Sequence, residues 1–408
     1  MNILLINHYA GSNEYGMEYR AYYLAKEWVK QGHQVTIVAA TFSHLRLKNP
    51  VVAKDYQVEM IDGIKYIWLK TPSYGGSIKR IINMGTFVRK LKKYAKKLSR
   101  EEQPNLVIAG SCYPLDNYSA HKIAKMSGAK YTYEVRDIWP LSPKLIGGYS
   151  DHHPFIWVMQ RAEDYAYKHV DKVVSLLWNA EGHMLERGLA PGKFVCVPNG
   201  YYPEEWTDDK FNLPLPEEHQ KAFDSLKDKI IVGFAGGLAA SGALMTFVQT
   251  AKELKDNSKI HFVLVGKGPE EQVLREYVTS NSLDNVLFLP AVPKTSIPSV
   301  IKHFDIAYYG GYHSLLHKYG TCANKLTDYM LAAKPIIQAI DEPGSVVSRV
   351  GCGLQIEAEN PCKNAQAILT IAALTDVEKK AMGLKGKEYA EKNYTWEKLS
   401  KDFLNAFK

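Results

Sequence analysis

Apolar residues fall into short runs along this chain, and between the runs they recur every three or four positions. Residues 3–6 form an apolar run that predicts a strand, residues 17–31 an amphipathic helix, and residues 34–39 a second strand after the Gly32-His33 stop. Further strand-like runs follow at 64–69, 106–109, 131–135, 173–177 and 195–197, with helical patterns between several of them. Between 199 and 229 the alternation lapses into Pro203, Pro214 and Pro216 among mixed charges. It then restarts with strands expected at 230–235, 262–265, 286–289, 306–309 and 336–339, and closes in two helices around Tyr394-Thr395-Trp396. Strands alternating with helices imply parallel sheets wrapped on both faces. The expected fold class is therefore α/β, with two Rossmann-like parallel-sheet domains facing an interdomain cleft. Their expected bounds are 1–200 and 201–390, with residues 391–408 as a terminal helix packing back on the first domain.

Length supports that division, since 408 residues suit two cores better than one. Hydrophobic content of 46% and charged content of 23% are those of an ordinary globular protein. The five cysteines are scattered without a CxxC pair and read as reduced, buried thiols. The chain opens directly into a strand, and no apolar run approaches the roughly 18 residues of a membrane span. A cytoplasmic protein, peripheral on the inner face of the cell membrane, is expected. Lysine and arginine number 51 against 43 acids, so the net charge of +8 favours anionic partners.

The richest stretch is Lys318-Tyr319-Gly320-Thr321-Cys322-Ala323-Asn324-Lys325-Leu326-Thr327-Asp328, read as a loop entering a helix from about residue 322 to 333. Unpaired amides and the positive end of the helix dipole favour an anion at Cys322, Ala323 and Asn324. Lys325 lies in that first turn, and Asp328 follows on the same face. Phosphate suits the first feature and sugar hydroxyls the second, so a nucleotide-sugar is the simplest ligand wanting both. Glycine turns end two neighbouring strands, at Gly236-Gly237 and at Gly266-Lys267-Gly268, where a phosphate could approach the backbone. A tight turn needing small residues is the alternative for either one alone; two on neighbouring strands beside the 320–328 helix point more strongly to a ligand. No DxD triplet occurs, and Asp151-His152-His153 reads as a solvated loop rather than a metal site; no metal and no cofactor are expected. The charge of a departing diphosphate would then fall to helix dipoles and to Lys325.

In the first half, Arg136 and Asp137 directly follow a buried strand. They are either catalytic groups projecting into the crevice or a structural ion pair. In residues 79–100, Ile81, Met84, Val88, Leu91, Ala95 and Leu98 form a helical stripe among basic residues that include Arg89, Lys92, Lys93, Lys96 and Lys97. That pattern suits an anionic membrane surface, or an ordinary helix with a solvated basic face. Nothing resembles a nucleic-acid recognition element.

These residues, in this order and spacing, resemble glycosyltransferase family 4, retaining enzymes of the two-domain GT-B architecture, and most closely the bacterial members that build O-antigen and capsule. The resemblance rests on the Gly16 loop, the 197–200 hinge, Val265-Gly266-Lys267-Gly268-Pro269, the 288–292 stretch ending at Val292, and 320–335. It implies transfer, with retention, from a nucleoside-diphosphate sugar, UDP-linked by expectation. The acceptor implied is a glycan or a polyprenyl-diphosphate-linked one. Donor contacts are expected at Gly16, Gly236, Gly237, Gly266, Lys267, Val292, Cys322, Ala323, Asn324, Lys325 and Asp328, and catalytic roles at Lys325, Arg136 and Asp137. The chain departs from the family pattern where Gly320 replaces the first acid and where residues 236–242 carry no Arg or Lys. Those departures keep open a catalytically inactive relative acting as a binding partner, with a nucleotide-sugar epimerase on the same architecture as a further alternative.

Overall fold

A computed structural model describes residues 1–408. The chain divides into two compact units, Met1–Asn199 with Trp396–Lys408, and Gly200–Thr395. The first holds strands β1 (Asn2–Ile6), β2 (Gln34–Ala40), β3 (Gln57–Ile61), β4 (Ile64–Leu69), β5 (Leu106–Ala109), β6 (Lys130–Val135), β7 (Lys172–Ser175) and β8 (Phe194–Cys196). They form one sheet in the order β3-β4-β2-β1-β5-β6-β7-β8, parallel except where β3 runs antiparallel to β4. The second unit holds β9 (Ile230–Ala235), β10 (Ile260–Val265), β11 (Val286–Leu289), β12 (Ile306–Gly310), β13 (Ile336–Ala339) and β14 (Gly353–Ile356). Their order is β11-β10-β9-β12-β13-β14, parallel throughout. Both units are Rossmann-like α/β domains.

The central strands are buried on both faces, so they read as continuous apolar runs. The two strands missed by that pattern, β3 and β14, lie at sheet edges. Edge strands keep one side in solvent and alternate or dilute their apolar residues, and every residue of β14 is only partly buried.

The helix Tyr19–Lys30 starts later than the apolar pattern suggests, because Met17 and Glu18 both adopt left-handed backbone, at φ 54° and 51°. The helix Trp396–Asn405 packs on it within the first unit. Trp28 Nε1 donates to the Ser400 carbonyl at 3.0 Å, Gln31 Nε2 donates to Ser400 Oγ at 2.7 Å, and the Trp28 and Phe403 rings lie 5.1 Å apart. Residues 391–395 stay with the second unit.

The basic segment is one helix, Ser77–Glu102. Its buried face is Asn83, Met84, Phe87, Leu91, Ala95 and Leu98, so the expected stripe is corrected at two places. Phe87 replaces Val88 as the fully covered residue, and Ile81 is 49% exposed. Ile78 and Ile82, in its first turns, are exposed as well. All five cysteines are free, but Cys196 and Cys362 are exposed rather than buried. No helix is long and apolar enough to cross a membrane.

Candidate functional site

In the second unit the strand order reverses direction between β9 and β12. Ligands of open α/β sheets bind at such a switch point, beyond the carboxyl ends of the strands. Gly236-Gly237 follows β9 there and Gly266 follows β10. The two turns press together, with the Gly236 amide donating to the Val265 carbonyl at 2.9 Å and the Leu238 amide to the Lys267 carbonyl at 3.0 Å. A Cβ on Gly266 would fall 1.9 Å from the Gly236 oxygen, and one on Gly268 would fall 2.2 Å from the Leu238 oxygen. Turn-on-turn packing therefore requires these two glycines by itself. Gly237 faces open space. Lys267 is exposed, and Val292 is half-buried against the core.

The helix after β12 runs Asn324–Leu331, so Cys322 and Ala323 precede it instead of forming its first turn. Ala323 is the N-cap in extended backbone, and it has no side chain with which to cap the first amides. Ala333, at φ 52°, stops the helix short of the expected end. Tyr329 anchors the helix to the sheet by accepting the Ala235 amide at 3.1 Å. This brings the Lys325 ammonium against the Gly236 turn, where a Cβ on Gly236 would meet Lys325 Nζ at 3.4 Å. The ammonium lies 4.3 Å from the centre of the Phe234 ring and is held in no ion pair. Burial lowers its pKa, with Asp328 opposing.

Asp328 sits one turn on. Burial pushes its carboxyl up to about 7, with Glu205 adding to the shift and Lys294 and Lys325 opposing it. It lines a cavity of about 100 Å³ with Glu205, Trp206, Lys294, Thr295 and Pro298, where Lys294 Nζ and Glu205 pair at 3.0 Å. Sequence reasoning missed this wall. Trp206 and Glu205 lie in the stretch read as a linker, and Lys294 lies just past the expected Val292; neither carries a local pattern. The site so assembled offers unengaged positive charge beside a glycine turn and a carboxylate beside an apolar slot.

The first unit arranges its candidates differently. Arg136 pairs with Glu18 at the start of the Tyr19–Lys30 helix, so the expected alternative of an Arg136–Asp137 pair is corrected. The left-handed turn at 17–18 aims Glu18 back at the sheet edge, and Asp137 is left exposed. The neighbouring buried ion pair is Arg20–Glu134 at 3.0 Å, absent from the sequence reading. Arg20 also donates to the carbonyls of Pro198 at 2.7 Å and Val197 at 2.8 Å, which fastens the end of the first unit to its core. Gly16, at φ 70°, is buried, and a Cβ there would strike Leu47 at 2.8 Å.

On the basic helix, Arg89, Lys92, Lys93 and Lys96 are exposed, whereas Lys97 lies 3.7 Å from the centre of the Tyr56 ring. Asp151 pairs with Lys144, and His153 caps the Pro154–His169 helix by accepting the Phe155 amide at 3.2 Å.

Residues 15–200 match the family model described as a glycosyl transferase 4-like domain, and residues 229–373 match glycosyl transferases group 1. Similar solved structures include HepE of Anabaena in complex with UDP and glucose, at 13% identity and TM-score 0.66, covering 100% of this chain and 99% of that one. Sucrose-phosphate synthase from Thermosynechococcus elongatus has 14% identity and TM-score 0.71, covering 99% and 98%. WaaG, a glycosyltransferase involved in lipopolysaccharide biosynthesis, has 11% identity and TM-score 0.64, covering 98% of each chain. No curated protein matches the chain. At these identities the solved structures speak to fold, and the family matches to activity. One glycosyl transferase family match falls on each α/β unit, over residues 15–200 and 229–373, so the chain is a glycosyltransferase, and its fold is the two-domain GT-B fold.

Proposed function

We propose that the protein transfers a sugar from a nucleoside diphosphate, UDP by preference, to a glycan or polyprenyl-diphosphate-linked acceptor, with retention and without a metal ion. The observation that carries this reading is the Lys325 ammonium. It is half-buried beside the Gly236 turn, engaged by no carboxylate, one helical turn from Asp328. A partly desolvated cation without an anionic partner gains when a ligand supplies the opposite charge. A diphosphate at the amino end of the Asn324–Leu331 helix supplies it, and the ribose hydroxyls then reach Asp328. As the bond from the anomeric carbon to the diphosphate breaks, the helix dipole and Lys325 take up the growing negative charge. The acceptor hydroxyl approaches the same face of the sugar, its oxygen bonding to the anomeric carbon while its proton passes to the departing diphosphate oxygen. The UDP complexes of HepE support the choice of nucleotide.

The first unit is the proposed acceptor domain, with Arg136 and Asp137 at the carboxyl end of β6 as its polar groups. The exposed Arg89, Lys92, Lys93 and Lys96 would rest on anionic lipid headgroups, which suits a lipid-linked acceptor in surface-polysaccharide assembly and a position on the inner face of the cell membrane.

The test is Lys325→Ala, assayed by calorimetry with UDP and by turnover of a UDP-sugar panel with lipid-extract acceptor. Loss of one charge-assisted contact should weaken UDP binding by about tenfold or more. Unchanged affinity for UDP would refute the donor assignment. Failure of the wild-type protein to turn over any donor would favour the inactive, partner-binding relative.

A further inference from the structure

The segment Gly320–Ala323 leads directly into the helix that holds Lys325, yet position 320 has no side chain and φ is 99° there. Something else must hold this loop. Thr321 donates twice to one carboxylate, from its amide to Glu342 Oε1 at 3.1 Å and from its hydroxyl to Glu342 Oε2 at 2.6 Å. Glu342 lies beyond β13, far from the loop in sequence, and is 2% exposed. Gln338 Nε2 donates to Oε2 at 2.7 Å. Gln355, on β14, donates to the backbone carbonyls of Glu342 at 2.5 Å and Ile340 at 3.1 Å, so the anchor is itself braced by the sheet. Two buried polar atoms, Gln338 Oε1 and His317 Nδ1, have no hydrogen-bond partner.

We propose that Glu342 is a positioning residue for the donor diphosphate: it clamps Thr321 and thereby sets the backbone that leads into the helix start and Lys325. This rests on the donor-site reading given above. An N–H and an O–H converging on a single buried carboxylate are charge-assisted and directional, so the loop has one arrangement. Because the clamp acts on the phosphate end of the site, its loss should not disturb the ribose end at Asp328.

That asymmetry is the test. Glu342→Gln, Thr321→Val and Thr321→Ser are compared with the wild type for UDP by calorimetry and for uridine, which lacks the diphosphate, by NMR titration. Thermal unfolding checks the fold, with Thr321→Val as the milder variant. Glu342→Gln and Thr321→Val should each weaken UDP by about tenfold to a hundredfold, the worth of a hydrogen bond to a charged group. Uridine should bind unchanged, Thr321→Ser should recover the UDP affinity, and the double variant Thr321→Val with Glu342→Gln should be no weaker than the weaker single one. Equal loss for UDP and uridine would reduce Glu342 to a structural residue and overturn the proposal, as would wild-type UDP affinity in both variants. If Lys325→Ala loses UDP binding while Glu342→Gln keeps it, the clamp alone is wrong. If Lys325→Ala also keeps it, the donor site itself is wrong.

Discussion

Uridine binding should depend on pH through Asp328. Burial holds this carboxyl at about 7, so near neutrality it is divided between its two forms. Ribose hydroxyls donate, and only the ionised carboxylate accepts from both without competing as a donor itself. Binding therefore favours the ionised form. With ionisation at about pH 7, the ionised fraction is about one tenth at pH 6 and about nine tenths at pH 8. Affinity for uridine should fall by about tenfold from pH 8 to pH 6 on that ground alone. The sign for stability is opposite. The folded carboxyl sits above its unfolded value, so the protonated form stabilises the fold fully below about pH 4. That contribution is lost as pH rises through about 7. Added uridine should offset part of the loss. The assay is NMR titration with uridine, chosen because it has no phosphate that titrates in the same window. In Asp328→Asn the affinity should be lower at pH 8 and flat between pH 6 and 8. A flat wild-type profile, or a slope that persists in Asp328→Asn, would refute the ribose contact.

Glu134→Ala should destabilise the first unit by about 3–5 kcal/mol in urea denaturation, because Arg20 keeps its buried charge and loses its only carboxylate partner; a change below about 1 kcal/mol would contradict the pairing. Gly266→Ala places a Cβ 1.9 Å from the Gly236 oxygen, so the two turns must part. UDP affinity should drop together with thermal stability. Replacing Lys92, Lys93 and Lys96 by Glu should reduce sedimentation with anionic vesicles while leaving UDP binding intact; unchanged sedimentation would remove the membrane role of that face.

Much of the site was legible because helix starts and glycine turns are local. Lys325 and Asp328 lie three residues apart, and a helix of any tertiary setting puts them on one side. Gly236, Gly266 and Lys325 could be grouped from strand ends alone, since parallel strands share one carboxyl edge. The packing reason for Gly266 and Gly268 was not legible, since it is the Gly236 and Leu238 carbonyls of another strand that exclude a side chain. Arg136 shows the same limit. Its neighbour in sequence was Asp137, but its partner is Glu18, delivered by two left-handed residues.

The order of strands and helices, the two α/β domains and the amino end of the Asn324–Leu331 helix follow from the chain's periodicity, because hydrogen bonding and burial impose periods that short segments display. Tertiary structure alone decided which charges meet. Glu342, just past β13, reaches Thr321, Glu205 reaches Lys294 beside Asp328, and Phe234 rather than a carboxylate lies under Lys325. Such pairings depend on distances set by packing, and those distances also set the burial that lifts Asp328 toward neutrality. A residue's identity gives its charge; only its surroundings determine whether that charge is held or waiting for a ligand.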